Sequence, residues 1–183
     1  NKTDCQTERR NGRGRDDMEL DHALQTFLME SRELLVAMEE SLLGLESSPD
    51  DHDAINAIFR AAHTIKGSGG MFGLDGIVAF THVVENVLDR VRSGEVPINV
   101  DLIALLLLCR DHIGTLVEGI AADSTAQPDR ETETTGALLL NQLRAYQDGT
   151  AAPVPADDED YGFFAEPADA KERSSVSAVA QSE

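Results

Sequence analysis

The sequence predicts an all-α protein, and three observations carry that prediction. Apolar residues recur at spacings of three and four between Leu20 and Tyr146, the period of a helix with one buried face. Leu, Ala, Val and Glu dominate, aromatic residues make up 4% and Trp is absent, a composition that favours helices. Gly, Pro, Ser and Asp gather where the periodic segments stop, as turn residues do.

The elements follow in order. Residues 1–15 are polar and mixed in charge; they have nothing to bury, so a disordered tail is expected. A first helix is expected to begin near Asp16 or Asp17, where a carboxylate can cap free amides. Its stripe is Leu20, Leu24, Phe27, Leu28, Leu34, Leu35, Met38, Leu42 and Leu45. Ser47-Ser48-Pro49-Asp50 ends it. A second helix is expected from Asp51–Asp53, with the stripe Ile55, Ile58, Phe59, Ala62 and Ile65. Gly67, Gly69, Gly70 and Gly73 then weaken its end and prepare a tight turn. A third helix, from about Leu74 to Ser93, buries Ile77, Phe80, Val84, Val87, Leu88 and Val91, and Gly94 and Pro97 close it. A fourth follows Asn99, a good N-cap, and runs to about Ala122. It is apolar nearly all round in its first half, so it should be the most buried. Asp123–Glu131 reads as a loop. A fifth helix carries Leu139, Leu140, Leu143 and Tyr146 and stops at Gly149. The helical domain therefore occupies 16–149. Residues 150–183, rich in Ala, Pro, Ser and acid, read as a disordered linker. The aromatic island Tyr161-Gly-Phe163-Phe164 within it reads as linker or as a docking motif.

Charge and cysteines restrict the function. With 34 Asp+Glu against 15 Lys+Arg, the chain lacks the basic face of a nucleic-acid binder and suits partners with positive surfaces. The longest purely apolar run, Leu102–Cys109, is too short for a bilayer, which needs about 20 residues. No secretory signal is visible, so a cytoplasmic location without direct membrane contact is expected. Cys5 and Cys109 do not form a metal-type spacing and suggest a reducing compartment, with Cys109 a small core residue. The chain lacks an initiator Met and reads as a piece of a longer protein.

The chemistry concentrates in Phe59–Gly73, which reads FRAAHTIKGSGGMFG. His63 falls on the flank of the second helix's stripe, with Lys66 one turn on. A short turn at Gly73 makes helices two and three an antiparallel hairpin. His63 lies ten residues before Gly73; His82 and Glu85 lie nine and twelve after it. At a rise of about 1.5 Å per residue the three stand within roughly 3 Å of one height. A neutral imidazole has one donor and one acceptor nitrogen. If Glu85 takes the Nδ1 proton, the lone pair is fixed on Nε2, which points out as a nucleophile. Phosphoryl transfer asks mainly for positioning and charge neutralisation. Lys66 supplies charge beside the phosphoryl oxygens. Gly67, at i+4 from His63, removes a side chain that would crowd the imidazole, and so leaves room for a visiting active site.

At these residues a family becomes recognisable. His63-Thr-Ile-Lys66-Gly67-Ser-Gly resembles the phosphorylation motif of histidine phosphotransfer (HPt) domains. Phe80-Thr-His82-Val-Val-Glu85, continuing to Gly94-Glu95, resembles the amino-terminal HPt domain of chemotaxis kinases of the CheA type, and Asn56-Ala-Ile-Phe59-Arg60 fits the same family. The resemblance covers about Met18 to Ala122. It implies an HPt-type up-down four-helix bundle with a fifth helix. It implies that His63 is phosphorylated, that Glu85 is hydrogen-bonded to it, and that Lys66 and His82 tune its reactivity. It implies a kinase domain that uses ATP and Mg2+, acting from the other protomer of a dimeric parent, and onward transfer to an aspartate of response regulators of the CheY or CheB type. The chain has no Gly-rich ATP loop, so no cofactor is expected in the fragment itself, which should be a monomeric phosphoacceptor unable to phosphorylate itself.

Other readings stand beside this one. A stand-alone phosphorelay HPt protein shares the motif; His82 and Glu85 favour the chemotaxis type. A metal-binding bundle would take His63, His82 and Glu85 as ligands, but di-iron bundles need paired Glu-x-x-His motifs and further glutamates, and only one pair occurs here, reversed. A pure interaction bundle would use none of these residues chemically. His22, His52 and His112 read as structural or exposed.

Overall fold

The computed structural model describes residues 4–123 and 127–149, and of residues 4–17 the backbone alone. It consists of α1 (Asp4–Ser47), α2 (His52–Met71), α3 (Asp75–Arg92), α4 (Val100–Ala122) and α5 (Arg130–Gln147), with no strand among the described residues. Contacts run from α1 to α2, α2 to α3, α3 to α4 and α4 back to α1, so these four helices form a closed ring around one core. Helix α5 packs against α3 and α4 from outside that ring.

Local chemistry sets the boundaries. Asp51 accepts from the amides of Asp53 and Ala54 at 3.0 Å, Asn99 from Leu102 at 2.8 Å, and Asp129 from Thr132 at 2.8 Å, which caps α2, α4 and α5. Each cap satisfies a donor that the helix itself leaves unpaired. After α2 the chain turns at Gly73, where φ is +66°, a left-handed conformation that glycine alone enters without a Cβ penalty. The Leu74 amide reaches back to the Gly69 carbonyl at 3.0 Å and closes the turn.

The core is aliphatic. Leu42, Ile58, Ile65, Leu88, Leu106, Ile113 and Leu143 are among its fully buried side chains, drawn from all five helices. Burial of such side chains supplies most of the drive to fold. Helix α4 buries Leu102, Ile103, Leu105, Leu106, Cys109, His112, Ile113 and Val117. It is not covered all round, since Leu108 stays exposed. Burial pushes the Cys109 thiol up to about 12, as the apolar-core reading requires.

Three boundaries differ from expectation. Helix α1 begins at Asp4 rather than near Asp16, so the expected tail 1–15 is helical in its backbone from Asp4. A helix already nucleated by a packed segment propagates at little cost through residues with no core to join. Helix α1 thus outruns its neighbours. Phe27 packs at 5.5 Å on Phe72, at the end of α2, and Leu20, seven residues earlier, is 60% exposed. Helix α2 continues through Gly67, Gly69 and Gly70 to Met71, because the last turns are held by packing: a Cβ at Gly69 would stand 3.6–3.9 Å from Val78, Ile77 and Phe27. Helix α5 starts at Arg130, two residues inside the expected loop, because Asp129 caps it. The expected linker 150–183, with Tyr161–Phe164, lies outside the described residues.

Candidate functional site

Helices α2 and α3 are joined by Phe72, Gly73 and Leu74 and run antiparallel, so flank residues equidistant from the turn face each other. His63 and Glu85 do so: His63 Nδ1 stands 2.8 Å from Glu85 Oε1. An ionised carboxylate only accepts, so the ring proton in this contact belongs to Nδ1, which donates it. The lone pair then lies on Nε2, for which no protein partner exists among the described residues.

The two partners differ in exposure. The His63 side chain is 61% exposed and that of Glu85 12%. The carboxylate is thus anchored in the groove while the ring reaches solvent. Lys66 Nζ lies 2.5 Å from Glu85 Oε2. The contact sets an ammonium against a carboxylate at hydrogen-bond distance. Burial pulls the Glu85 carboxyl upward, but Lys66 and then His63 outweigh it and hold it below the usual carboxylate range. Glu85 is therefore ionised at neutral pH and serves both neighbours.

The remaining predicted residues divide. Gly67 is exposed, and a Cβ there would meet nothing within 4 Å. A methyl group there would therefore not crowd the imidazole, contrary to expectation, because the i+4 position faces open solvent rather than the ring. His82 is not brought into the network. It is exposed and makes no hydrogen bond or ion pair among the described residues. Three residues along a helix rotate a side chain about 60° off the first direction, and the oxygens of Glu85 are already engaged. Among the described residues, no three His, Cys, Asp or Glu side chains converge, so the three-ligand arrangement of His63, His82 and Glu85 is not assembled.

Two residues beside His63 escaped the sequence reading. Phe59, taken as a member of the core stripe, stacks on the imidazole with ring centroids 5.9 Å apart and planes 16° apart. Arg92 places its guanidinium carbon 4.2 Å from the Phe59 centroid. The i, i+4 spacing of Phe59 and His63 was the available signal. His112 is structural: it is buried, its ring lies 4.5 Å from that of Phe80, and burial lowers its pKa.

The family model described as Hpt domain matches residues 22–123. The chain belongs to the Hpt domain family. Its Hpt span holds α2, α3, α4 and the His63–Glu85 pair, and leaves α5 outside. This Hpt domain is 34% identical over 139 residues to the chemotaxis protein CheA of Bacillus subtilis, covering 76% of this chain and 20% of that protein. It is 38% identical over 137 residues to CheA of Salmonella typhimurium, covering 75% and 20%. The chain thus spans about a fifth of the length of these relatives. Among solved structures it resembles the phosphorylated P1 domain of CheA3 in complex with CheY6 from R. sphaeroides. The TM-score is 0.64 at 27% identity, covering 72% of this chain and 99% of that one. It also resembles the CheA phosphotransferase domain of Thermotoga maritima, at 37% identity and a TM-score of 0.51, covering 54% and 93%. The fold is that of CheA phosphotransfer domains, an all-α bundle. No helix among the described residues is long and apolar enough to cross a membrane.

Proposed function

We propose that His63 is the phosphoacceptor of a chemotaxis phosphorelay, receiving the γ-phosphoryl of ATP from a CheA-type kinase domain and passing it to an aspartate of a CheY-type or CheB-type response regulator. One observation carries the reading: an exposed imidazole whose Nδ1 is held at 2.8 Å by a buried carboxylate. The partners rest on likeness, since similar chains are CheA proteins and a similar structure is a complex with CheY6.

The geometry supports two steps. Nε2 attacks the γ-phosphorus, the bond from phosphorus to the bridging oxygen breaks, and ADP leaves. The ring keeps its Nδ1 proton and becomes cationic, and Glu85 offsets that charge through the same hydrogen bond. Lys66 holds Glu85 ionised and adds positive charge one turn from the phosphoryl oxygens. In the second step a regulator carboxylate attacks phosphorus and the P–Nε2 bond breaks. The electron pair returns to Nε2 and the neutral Nδ1–H tautomer is restored. ATP and Mg2+ belong to the kinase domain and not to this bundle. Gly67 keeps the approach to Nε2 clear for both visitors.

The test is phosphoryl uptake. The full chain, incubated with Mg2+, ATP and a CheA-type kinase core, should acquire one acid-labile, base-stable label. A response regulator added afterwards should remove it. His63→Gln should abolish the label. A label that persists in His63→Gln would place the chemistry elsewhere, and absence of label in the wild-type chain would leave an interaction bundle.

A further inference from the structure

We infer that Phe59, braced by Arg92, is a positioning residue that fixes the plane of the His63 ring. The inference rests on the reading of His63 as phosphoacceptor. A single hydrogen bond at Nδ1 settles which nitrogen carries the proton, but it leaves the ring free to swing about the Nδ1–Glu85 axis. A nucleophile needs both the tautomer and the direction of its lone pair. The second constraint is the stack: the Phe59 and His63 planes lie within 16° at a centroid separation of 5.9 Å, the offset arrangement that aromatic pairs prefer.

The order along the groove extends the argument. Phe59 precedes His63 by four residues on α2, and Arg92 follows Glu85 by seven on the antiparallel α3. Both steps lead the same way along the bundle, by about 6 and 10 Å at helical rise. Phe59 therefore stands in height between the imidazole and the guanidinium. Arg92 lies 4.2 Å from the Phe59 centroid and pairs with Asp89 at 3.6 Å, which ties the guanidinium to its own helix. Phe59 is only half-buried, so the core by itself does not clamp its ring. A cation on the phenyl face supplies that restraint from the side of α3. Helix α3 thus holds the nucleophile twice: directly through Glu85, and through Arg92 and Phe59.

The test uses the full chain and a small donor, potassium phosphoramidate, so that no docking partner is involved. Nε2 attacks the phosphorus, the P–N bond of the reagent breaks, and ammonia leaves. Labelling at His63 is followed through its own ring signals in long-range 1H–15N spectra, which also read the tautomer. Phe59→Leu should slow labelling about threefold to tenfold, the range that an aromatic pair supports, and should lower the order of the His63 ring in 13C relaxation, while the Nδ1–H tautomer, set by Glu85, persists. Phe59→Tyr should restore both. Arg92→Gln, at a surface position that threatens no core, should slow labelling about twofold and have no further effect on top of Phe59→Leu. Wild-type ring order and rate in both Phe59→Leu and Arg92→Gln would overturn the inference. So would a loss in Phe59→Leu that Phe59→Tyr does not restore. Failure of the wild-type chain to label would strike the phosphoacceptor reading instead, and the order of the His63 ring would still decide the role of the stack.

Discussion

Glu85 Oε1 lies 2.8 Å from Nδ1 of His63, with the acid buried and the imidazole in solvent. The asymmetry matters for chemistry. A carboxylate held in the groove keeps its place when a large partner arrives, while the exposed ring presents its other nitrogen. Glu85→Gln keeps the shape but removes the charge that offsets the cationic phospho-imidazole. Charge-assisted hydrogen bonds contribute about 1.5–3 kcal/mol, so labelling by the kinase core should slow roughly tenfold to a hundredfold. Far-UV circular dichroism should stay that of a folded bundle, because the site is on a flank. A wild-type labelling rate in this variant would remove Glu85 from the mechanism.

The same residue makes stability depend on pH. The native Glu85 carboxyl is held below the usual range, so the folded chain takes up its proton less readily than the unfolded chain. Its contribution is present above the unfolded value, about 4.3, and is lost as pH falls through the lower native value. The unfolding free energy of the wild type minus that of Glu85→Gln, from urea titrations, should fall on acidification through about pH 4. A difference that grows on acidification would reverse the assignment.

Much of the site could be read before the structure because helical hairpins obey simple counting. Similar distances from Gly73, ten and twelve residues, placed His63 and Glu85 near one height, and their flank positions brought them together. His82 shows the limit of that counting. Its height was right, but height says nothing about direction around the helix, and the ring points to solvent. Phe59 was hidden for the opposite reason. An apolar residue in a stripe reads as core, and its second face, toward His63 and Arg92, becomes visible only when α3 is in place. The start of α1 was misjudged because periodicity reports burial, and the helical backbone from Asp4 runs on beyond the stripe.

Gly67 offers a test that separates stability from function. It lies inside α2 and a Cβ there would touch nothing within 4 Å. Gly67→Ala should therefore stabilise the bundle by about 0.5–1 kcal/mol, the usual cost of a helical glycine. Labelling by phosphoramidate should stay at the wild-type rate, while labelling by a kinase core should slow. Equal rates with both donors would show that the open space serves no partner.

His112 carries a second, independent pH dependence. Burial lowers its pKa, so below its ordinary value of 6.5 the unfolded chain binds this proton more readily than the native one. Stability from this group therefore falls as pH drops from 6.5 and levels off below the native pKa. His112→Gln should make the dependence of unfolding free energy on pH shallower between about pH 5 and 7. An unchanged slope would mean that the ring protonates in place.

Gly136 is the reason that His112 fits between α4 and α5. A Cβ at 136 would stand 2.7 Å from His112 Nε2 and 3.0 Å from Cε1. The ring cannot easily retreat, since Phe80 packs against it at 4.5 Å. Gly136→Ala gains about 1 kcal/mol of helix propensity but overpacks the site at a cost of about 1–3 kcal/mol. The net result should be a loss of about 1 kcal/mol, read as a fall in Tm of roughly 3–5 °C. In a His112→Ala background the obstruction is gone, and the same Gly136→Ala change should become stabilising. Phosphoryl uptake at His63 should not change in any of these variants, because the α4–α5 contact lies away from the α2–α3 groove. Thermal melts of the four chains form a double-mutant cycle, and additivity in it would dissociate the glycine from the histidine.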